Sequence, residues 1–425
     1  MKINLEKAFL FVFIISLVVG AIYFVSPEPD IYVHYVTARE ILKDPSIVWR
    51  TNLTGWQSFV AIQSSALTAY PPLLYIIFAL LMAVYLPPFL ITIISIVIIG
   101  YFLYKLDGKA IPFMFLSFLL IKDIVFNNYD IFQIALTLTS FYFLIKKNYI
   151  TSGILVGITP LLKSTGFFAV LAWLTTIVIA EKKNIFKKRI VIAILLAIFI
   201  SFPWYFRNYL IFGNIYLAIV GQSSESLAAS MKHLSSAFQM SQPERFLWDS
   251  TGYYPLPIDL LFYIGLIFFA YNLVKTREIK VYSALIIIMA GVYFALQLSG
   301  NPFFVIRHEM IIFPFLALEI ARGIPEKYFK YTFIICLVLL VFFLYNIPKY
   351  AFNQYLKDLQ PACNQLRSEI GNEPVYIDAF HNWFVTYECN LNTTTKDLSK
   401  WTADFNSGQL YLTNMTNSTS NSTGV

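Results

Sequence analysis

Apolar runs of 12–18 residues recur along the chain from residue 8 to residue 347, parted by short breaks that carry most of the charge. A soluble fold of this length has too little interior to hide so many runs, whereas a bilayer accepts them directly. The charged residues make up 13% of the 425, about half the usual share of roughly 25% for soluble domains, and mean hydropathy is +0.65. These values exclude a soluble enzyme, a nucleic-acid binder and a disordered scaffold. The sequence specifies an all-α polytopic membrane protein.

The net charge of +7 is a matter of placement. Basic residues gather between apolar runs at Lys105/Lys109, Lys146/Lys147, Lys182 to Arg189, Lys275/Arg277/Lys280 and Arg322/Lys327/Lys330. Cytoplasmic loops collect Lys and Arg, so these breaks mark the inner face and name no anionic partner. Spans are predicted at 8–25, 89–104, 110–121, 131–145, 149–162, 167–180, 190–202, 258–274, 281–298, 310–321 and 331–347. That gives eleven crossings, a cytoplasmic N-terminus and an external C-terminal tail. No small-residue cleavage site follows the first run, which is therefore a retained span.

Residues 71–85 are too short for a span of about 20 residues and end in Leu86-Pro87-Pro88. They are predicted as a helix at the outer interface, which keeps every basic break inside. The segments assigned inside then hold 17 Lys/Arg against 6 Asp/Glu, and those outside 14 against 18, a balance of +11 against −4. Long outer loops are predicted at 26–69 and 203–256, with a brief one at 122–130.

The transmembrane domain is assigned to 1–347, a small external α/β module to 348–412, and a disordered Ser/Thr/Asn-rich tail to 413–425. Helical spacing covers 350–370, and Val375-Tyr376-Ile377 is a strand candidate. Cys363 and Cys389 are expected to pair in an oxidising exterior, and Cys336 to be a core residue. Acceptor patterns for N-glycosylation at Asn52, Asn392, Asn414, Asn417 and Asn421 all fall on segments assigned outside.

No phosphate loop, dinucleotide fingerprint, zinc helix or C-x-x-C pair is present, and no internal repeat of 20–50 residues is visible. His34, His233, His308 and His381 are scattered, so neither a metal nor another cofactor is expected. Candidate chemistry lies on the outer face. In Glu28-Pro29-Asp30, Asp30 is either a cap for the helix expected at 31–43 or a carboxylate that takes a proton from a substrate hydroxyl. Asp130 is either a cap for the span at 131 or a second carboxylate of the same cavity. Lys163, Arg207, Arg307 and His308 sit at outer span ends, against the inner bias of the other cations. Each alone fits snorkelling; together they fit a bound lipid phosphate.

The order of these parts resembles the GT-C superfamily of membrane glycosyltransferases. The likeness is nearest to enzymes using polyprenyl-phosphate sugars, such as protein O-mannosyltransferases and lipid A aminoarabinose transferases. It rests on the acid after the first span, the helical first loop, and Tyr70-Pro71-Pro72-Leu73 opening an interfacial helix. Next come residues 127–130 and Gly153-x-x-x-Gly157 leading to Lys163. Pro203-Trp204-Tyr205-Phe206-Arg207-Asn208-Tyr209, Phe212-Gly213-Asn214 and Arg307-His308 with Pro314-Phe315-Leu316-Ala317-Leu318 complete it. The likeness covers residues 1–325, and the W-W-D-Y-G signature of oligosaccharyltransferases is absent.

The resemblance implies transfer of one sugar, mannose or glucose, from a dolichyl- or polyprenyl-phosphate donor to a glycan, lipid or protein acceptor, with inversion, on the external face. It implies Asp30 as general base, with Lys163, Arg307, His308 and Arg207 as donor-phosphate ligands. Glu28, Asp130 and Tyr70 would orient substrates. A transporter or flippase for lipid-linked saccharides is the competing expectation, and a structural subunit of a surface-layer or glycosylation complex a third.

The predicted orientation is directly measurable. In intact cells a membrane-impermeant thiol reagent should label a cysteine placed at Asn417 and spare one placed at Lys187; the reverse pattern would invert the topology.

Overall fold

The structure, a computed structural model, describes residues 11, 14–15, 17–19, 29–49, 71–125, 128, 130–215, 259–276, 280–298, 310–346, 363–364, 367–368, 375–377, 393–394, 401–406 and 409–414. These are mostly helical. The helices are α1 (Pro29–Lys43), α2 (Leu73–Ala83), α3 (Leu90–Asp107), α4 (Phe118–Val125), α5 (Asp130–Ile145), α6 (Tyr149–Ile158), α7 (Gly166–Glu181), α8 (Lys188–Phe212), α9 (Leu260–Thr276), α10 (Ser283–Leu298), α11 (Phe313–Gly323) and α12 (Glu326–Asn346). Among the described residues three stretches are long and apolar enough to cross a membrane: Leu90–Leu116, Lys188–Phe212 and Glu326–Tyr345. Shorter apolar helices accompany them, α5, α6, α7, α9 and α10 among these.

The core is built on an irregular segment. Asp107 is extended (φ −163°, ψ 108°), which ends α3, and its side chain accepts from the backbone N–H of Lys109. Gly108–Leu116 then runs as a 3₁₀ helix in which every residue except Lys109 is buried. It packs against α3, α9, α11 and α12. Non-regular backbone at membrane depth is stable only where protein covers it, and here four helices do so. The 3₁₀ run and α4, joined through Ser117, occupy the span predicted at 110–121.

Two predicted loops are corrected. Lys122 and Asp123 belong to the last turn of α4, 4% and 0% exposed, and not to an outer loop. Strong apolar flanks carry the helix past these two charges and bury them. At the other site α8 continues through Pro203 to Phe212, ten residues beyond the predicted span end. Pro removes one donor but sits in a long apolar helix whose other hydrogen bonds persist. The helix stops at Gly213, which adopts the left-handed conformation (φ +65°) that glycine accepts without strain.

Close packing fixes α6 against α8. A Cβ added at Gly153 would lie 2.5 Å from the Ala193 carbonyl oxygen, and one at Gly157 would lie 2.7 Å from the Ala197 Cα. Small residues four apart let two backbones touch where lipid supplies no hydrophobic drive. The same helix is pinned to α5 and α7 by a polar knot. Ser140 Oγ donates to the Ser152 carbonyl (2.9 Å), Ser152 Oγ to the Ser140 carbonyl (2.8 Å), and Trp173 Nε1 to Ser152 Oγ (2.6 Å).

A second polar cluster ties α9, the turn that leads into α10, and α11. Glu319 is 1% exposed and accepts from Tyr282 (2.8 Å), Asn272 (2.7 Å) and Arg322 (2.8 Å). Ser117 Oγ donates to Asp259 at 2.5 Å, and Asp259 also caps α9 by accepting from the Phe262 N–H. The buried carboxylates of Glu319 and Asp259 are thus met by protein donors.

Of the stretch 71–85, expected as a helix at the outer interface, Leu73–Ala83 is helical as α2, 11 residues or about 16 Å long, and it packs on α1 with His34 against the Tyr75 ring at 4.8 Å. In the C-terminal segment β1 (Val375–Ile377), β2 (Thr393–Thr394), β3 (Trp401–Asn406) and β4 (Gln409–Asn414) form one sheet in the order β2-β1-β3-β4. The β1 pairings are parallel and β3–β4 is antiparallel. The predicted strand at 375–377 is present, and β4 runs to Asn414, past the boundary drawn at 412. Cys363 is disulfide-bonded and Cys336 is free. Cys389 lies outside the described residues.

Replacing Gly157 with Leu should separate α6 from α8, lowering stability by at least about 1–3 kcal/mol, as overpacking does. Thermal unfolding followed by size-exclusion chromatography measures the loss; an unchanged midpoint would contradict the contact.

Candidate functional site

The site grows from the turn between α6 and α7. After Ile158 the chain tightens into a 3₁₀ turn, Thr159–Leu161, and reverses into α7 at Gly166. Thr159 Oγ1 donates to the carbonyls of Val156 (2.7 Å) and Gly166 (3.3 Å), which closes the turn on itself. A Cβ at Gly166 would lie 2.3 Å from the Thr159 carbonyl carbon, so this close return is open to glycine alone. Lys163 stands in the middle of the turn.

Lys163 Nζ donates to both carboxylate oxygens of Asp130, at 2.8 Å each. The two side chains are 11% and 4% exposed, so this ion pair is largely withdrawn from solvent, with Asp130 buried and Lys163 partly so. Asp130 begins α5, but the capping contact expected of it falls to its neighbour: the Asp130 N–H donates to Asn128 Oδ1 at 3.2 Å. Asn128 is buried, and its own N–H donates to the Asp123 carbonyl at 2.7 Å. The bend between α4 and α5 is therefore held by backbone and amide groups, and the Asp130 carboxylate is given to Lys163.

A residue not singled out from the sequence supports the same turn. Gln133, one turn after Asp130 and 2% exposed, donates through Nε2 to the Lys163 carbonyl (3.3 Å). Its Oε1 accepts from Thr165 Oγ1 at 3.1 Å. The signal in the sequence is the i, i+3 spacing of Asp130 and Gln133, which puts both on one helix face.

The C-terminal half of α8 reaches the turn as well. Tyr205 donates its hydroxyl to the Pro160 carbonyl at 2.7 Å, and its ring meets Phe167 at 4.4 Å. Two residues on, Arg207 is 4% exposed, lies over the Trp204 ring at 4.6 Å and donates to Asn208 Oδ1 at 2.9 Å. Arg207 was predicted on an outer loop with a snorkelling alternative; its helix buries it instead.

Of the predicted site residues, the structure brings together Asp130 and Lys163 and sets Arg207 on the helix that braces their turn. For Asp30 the backbone is described: α1 starts at Pro29, so Asp30 lies inside the first turn rather than ahead of it. Pro suits the first helical position because its missing N–H would have no helical partner there. Glu28, Tyr70, Arg307 and His308 lie outside the described residues. Among the described residues no three His, Cys, Asp or Glu side chains converge as metal ligands would.

What the arrangement offers is one ammonium fixed at the end of apolar helices, its position set by a carboxylate and its backbone by a buried amide. An ammonium has three donors, enough to hold Asp130 and an oxygen of an anionic ligand together. No known family model, curated protein or solved structure matches the chain.

Replacing Asp130 with Ala leaves the partly buried Lys163 charge without its carboxylate and should cost about 3–5 kcal/mol. The double variant Asp130→Ala/Lys163→Met should regain most of it. Equal loss in single and double variants, by thermal unfolding, would show that the pair is not coupled.

Proposed function

We propose that the chain is an inverting glycosyltransferase of the GT-C type, moving one sugar from a dolichyl- or polyprenyl-phosphate donor to a glycan, lipid or protein acceptor. In this reading it spans the membrane eleven times, with an inner N-terminus, an outer active site and an external α/β module at the C-terminus. The observation that carries the reading is the partly buried, carboxylate-held Lys163 in the turn between α6 and α7.

A lipid phosphate carries its negative charge at the membrane surface, and that charge grows when the sugar leaves. A positioned ammonium in a poorly hydrated site stabilises it most at that moment. Held by Asp130 and by the turn, Lys163 needs little reorganisation to meet it. Arg207, on the helix that braces the turn, adds positive charge to the same region. Attack requires a base, because a sugar or protein hydroxyl is too weak an acid at neutral pH. Asp30, in the first turn of α1, takes that role in this mechanism: it removes the acceptor proton as the oxygen attacks the anomeric carbon from the face opposite the phosphate, and the lipid phosphate departs.

The transporter reading has one observation in its favour. Asp259, 1% exposed and bonded to Ser117, and the buried Lys122 and Asp123 set charges within the helical core, where carriers place theirs. Asp259 is met by Ser117 and the first turn of α9, and sugar transfer separates the two readings.

Purified protein in detergent, given radiolabelled dolichyl-phosphate mannose and glucose with a lipid extract as acceptor, should transfer sugar. Folded Asp30→Ala should lose at least about 100-fold of that rate, the lower range for general-base catalysis. Transfer undiminished in the variant would remove Asp30 from the mechanism. No transfer by wild type, together with lipid-linked sugar flipped across vesicles, would favour the transporter.

A further inference from the structure

We propose that Gln133 is a positioning residue for Lys163, so that α5 holds the donor-phosphate ligand at two points, the ammonium through Asp130 and the main chain through Gln133. This rests on the reading of Lys163 as the phosphate ligand.

The geometry separates the two holds. Asp130 meets only the tip of Lys163, at 2.8 Å, and would leave the turn behind it free to shift along a four-carbon side chain. Gln133 meets the turn itself. Its amide N–H reaches the Lys163 carbonyl at 3.3 Å and lies 3.5 Å from the Thr159 carbonyl, a longer contact. The Lys163 carbonyl also accepts from the Gly166 N–H at 2.9 Å, so one oxygen carries both the turn's own closure and the link to α5.

Thr165 fixes the amide's orientation. Its hydroxyl donates to Oε1 at 3.1 Å, which leaves Nε2 as the only end able to face the two carbonyls. Gln133 is 2% exposed and Thr165 6%. In such a place the amide keeps its partners because water cannot replace them. Two side chains on one face of α5, three residues apart, thereby set both the location and the direction of a charge carried by a different loop.

An amide in a lipid-embedded helix costs free energy unless its partners are met. A simple packing role is served better by an apolar side chain, as at most buried positions among the described residues. The bonds of Gln133 all end on the residues that shape one turn, and that turn carries the ammonium.

The test compares Gln133→Met, close in size and without donors, with Thr165→Val, which keeps the shape and frees the amide. Each full-length protein is reconstituted in nanodiscs, and only monodisperse protein is used. Lys163 is followed by amine-reactive labelling quantified by mass spectrometry against the other lysines. Affinity for dolichyl phosphate is measured beside Lys163→Ala. Gln133→Met should raise Lys163 labelling several-fold and weaken dolichyl phosphate about tenfold, with acceptor KM unchanged. Thr165→Val should do the same to a smaller extent and serves alone if Gln133→Met does not fold.

Unchanged Lys163 labelling in both variants would overturn the positioning role, whatever the protein's activity. Increased labelling with unchanged dolichyl phosphate affinity, while Lys163→Ala abolishes binding, would also overturn it. Full binding by Lys163→Ala would instead overturn the reading of the site on which the proposal rests.

Discussion

Inside a bilayer a polar group has only the protein to bond with, and several buried polar groups among the described residues are placed accordingly. Ser140, Ser152 and Trp173 join three helices by three hydrogen bonds. Glu319 gathers Tyr282, Asn272 and Arg322 where α9, the turn that leads into α10, and α11 meet. Asp259 takes Ser117 and the first turn of α9. Asp130 takes Lys163. Such contacts add little net stability beyond an apolar substitute, yet removing one partner is costly. They act as registration points: helices that would slide freely in lipid are fixed where the polar pairs meet. The small-residue seam between α6 and α8 sets depth and spacing in the same way, by sterics.

Local geometry at the candidate site follows from those registration points. The knot at Ser152 and the seam at Gly153 and Gly157 fix α6 along its length, so the turn at its end has one position. Gly166 lets the chain return within van der Waals contact of Thr159, and Tyr205 closes the turn from the α8 side. Lys163 is then the single charged side chain in a segment otherwise built from apolar and small polar residues. An ammonium placed this rigidly gains more from a developing phosphate charge than a mobile surface lysine does, because its reorganisation is complete before reaction.

The sequence made the helices legible and blurred their ends. Apolar runs and basic breaks locate α3, α5 to α7, α9 to α12 and the start of α8 to within a few residues, because lipid demands length and polarity with little ambiguity. Errors occur where tertiary cover overrides a local signal. Pro203 reads as a span end, but Gly213 is the residue that stops α8. Lys122 and Asp123 read as loop because charge normally stays in water, whereas a wholly buried helix carries them here. Lys163 was visible as a cation in too short a connection; its carboxylate partner lies 33 residues away and was not. Asp130 reads from the sequence as a cap or as a second carboxylate of the cavity; Asn128 accepts from its N–H, and its carboxylate meets Lys163. Gln133 carries only its i, i+3 spacing from Asp130 as a signal, and its meaning comes from the carbonyls it meets.

The central claim is that Lys163 receives the phosphate of a lipid-linked sugar. A cryo-electron microscopy structure of the full-length protein in nanodiscs containing dolichyl phosphate tests it most directly. The account predicts phosphate density within about 3 Å of Lys163 Nζ, the range of a charge-assisted hydrogen bond, with the Asp130 carboxylate still beside the ammonium. Phosphate density bound elsewhere on the protein, with the Asp130–Lys163 pair intact and no ligand against it, would contradict the account.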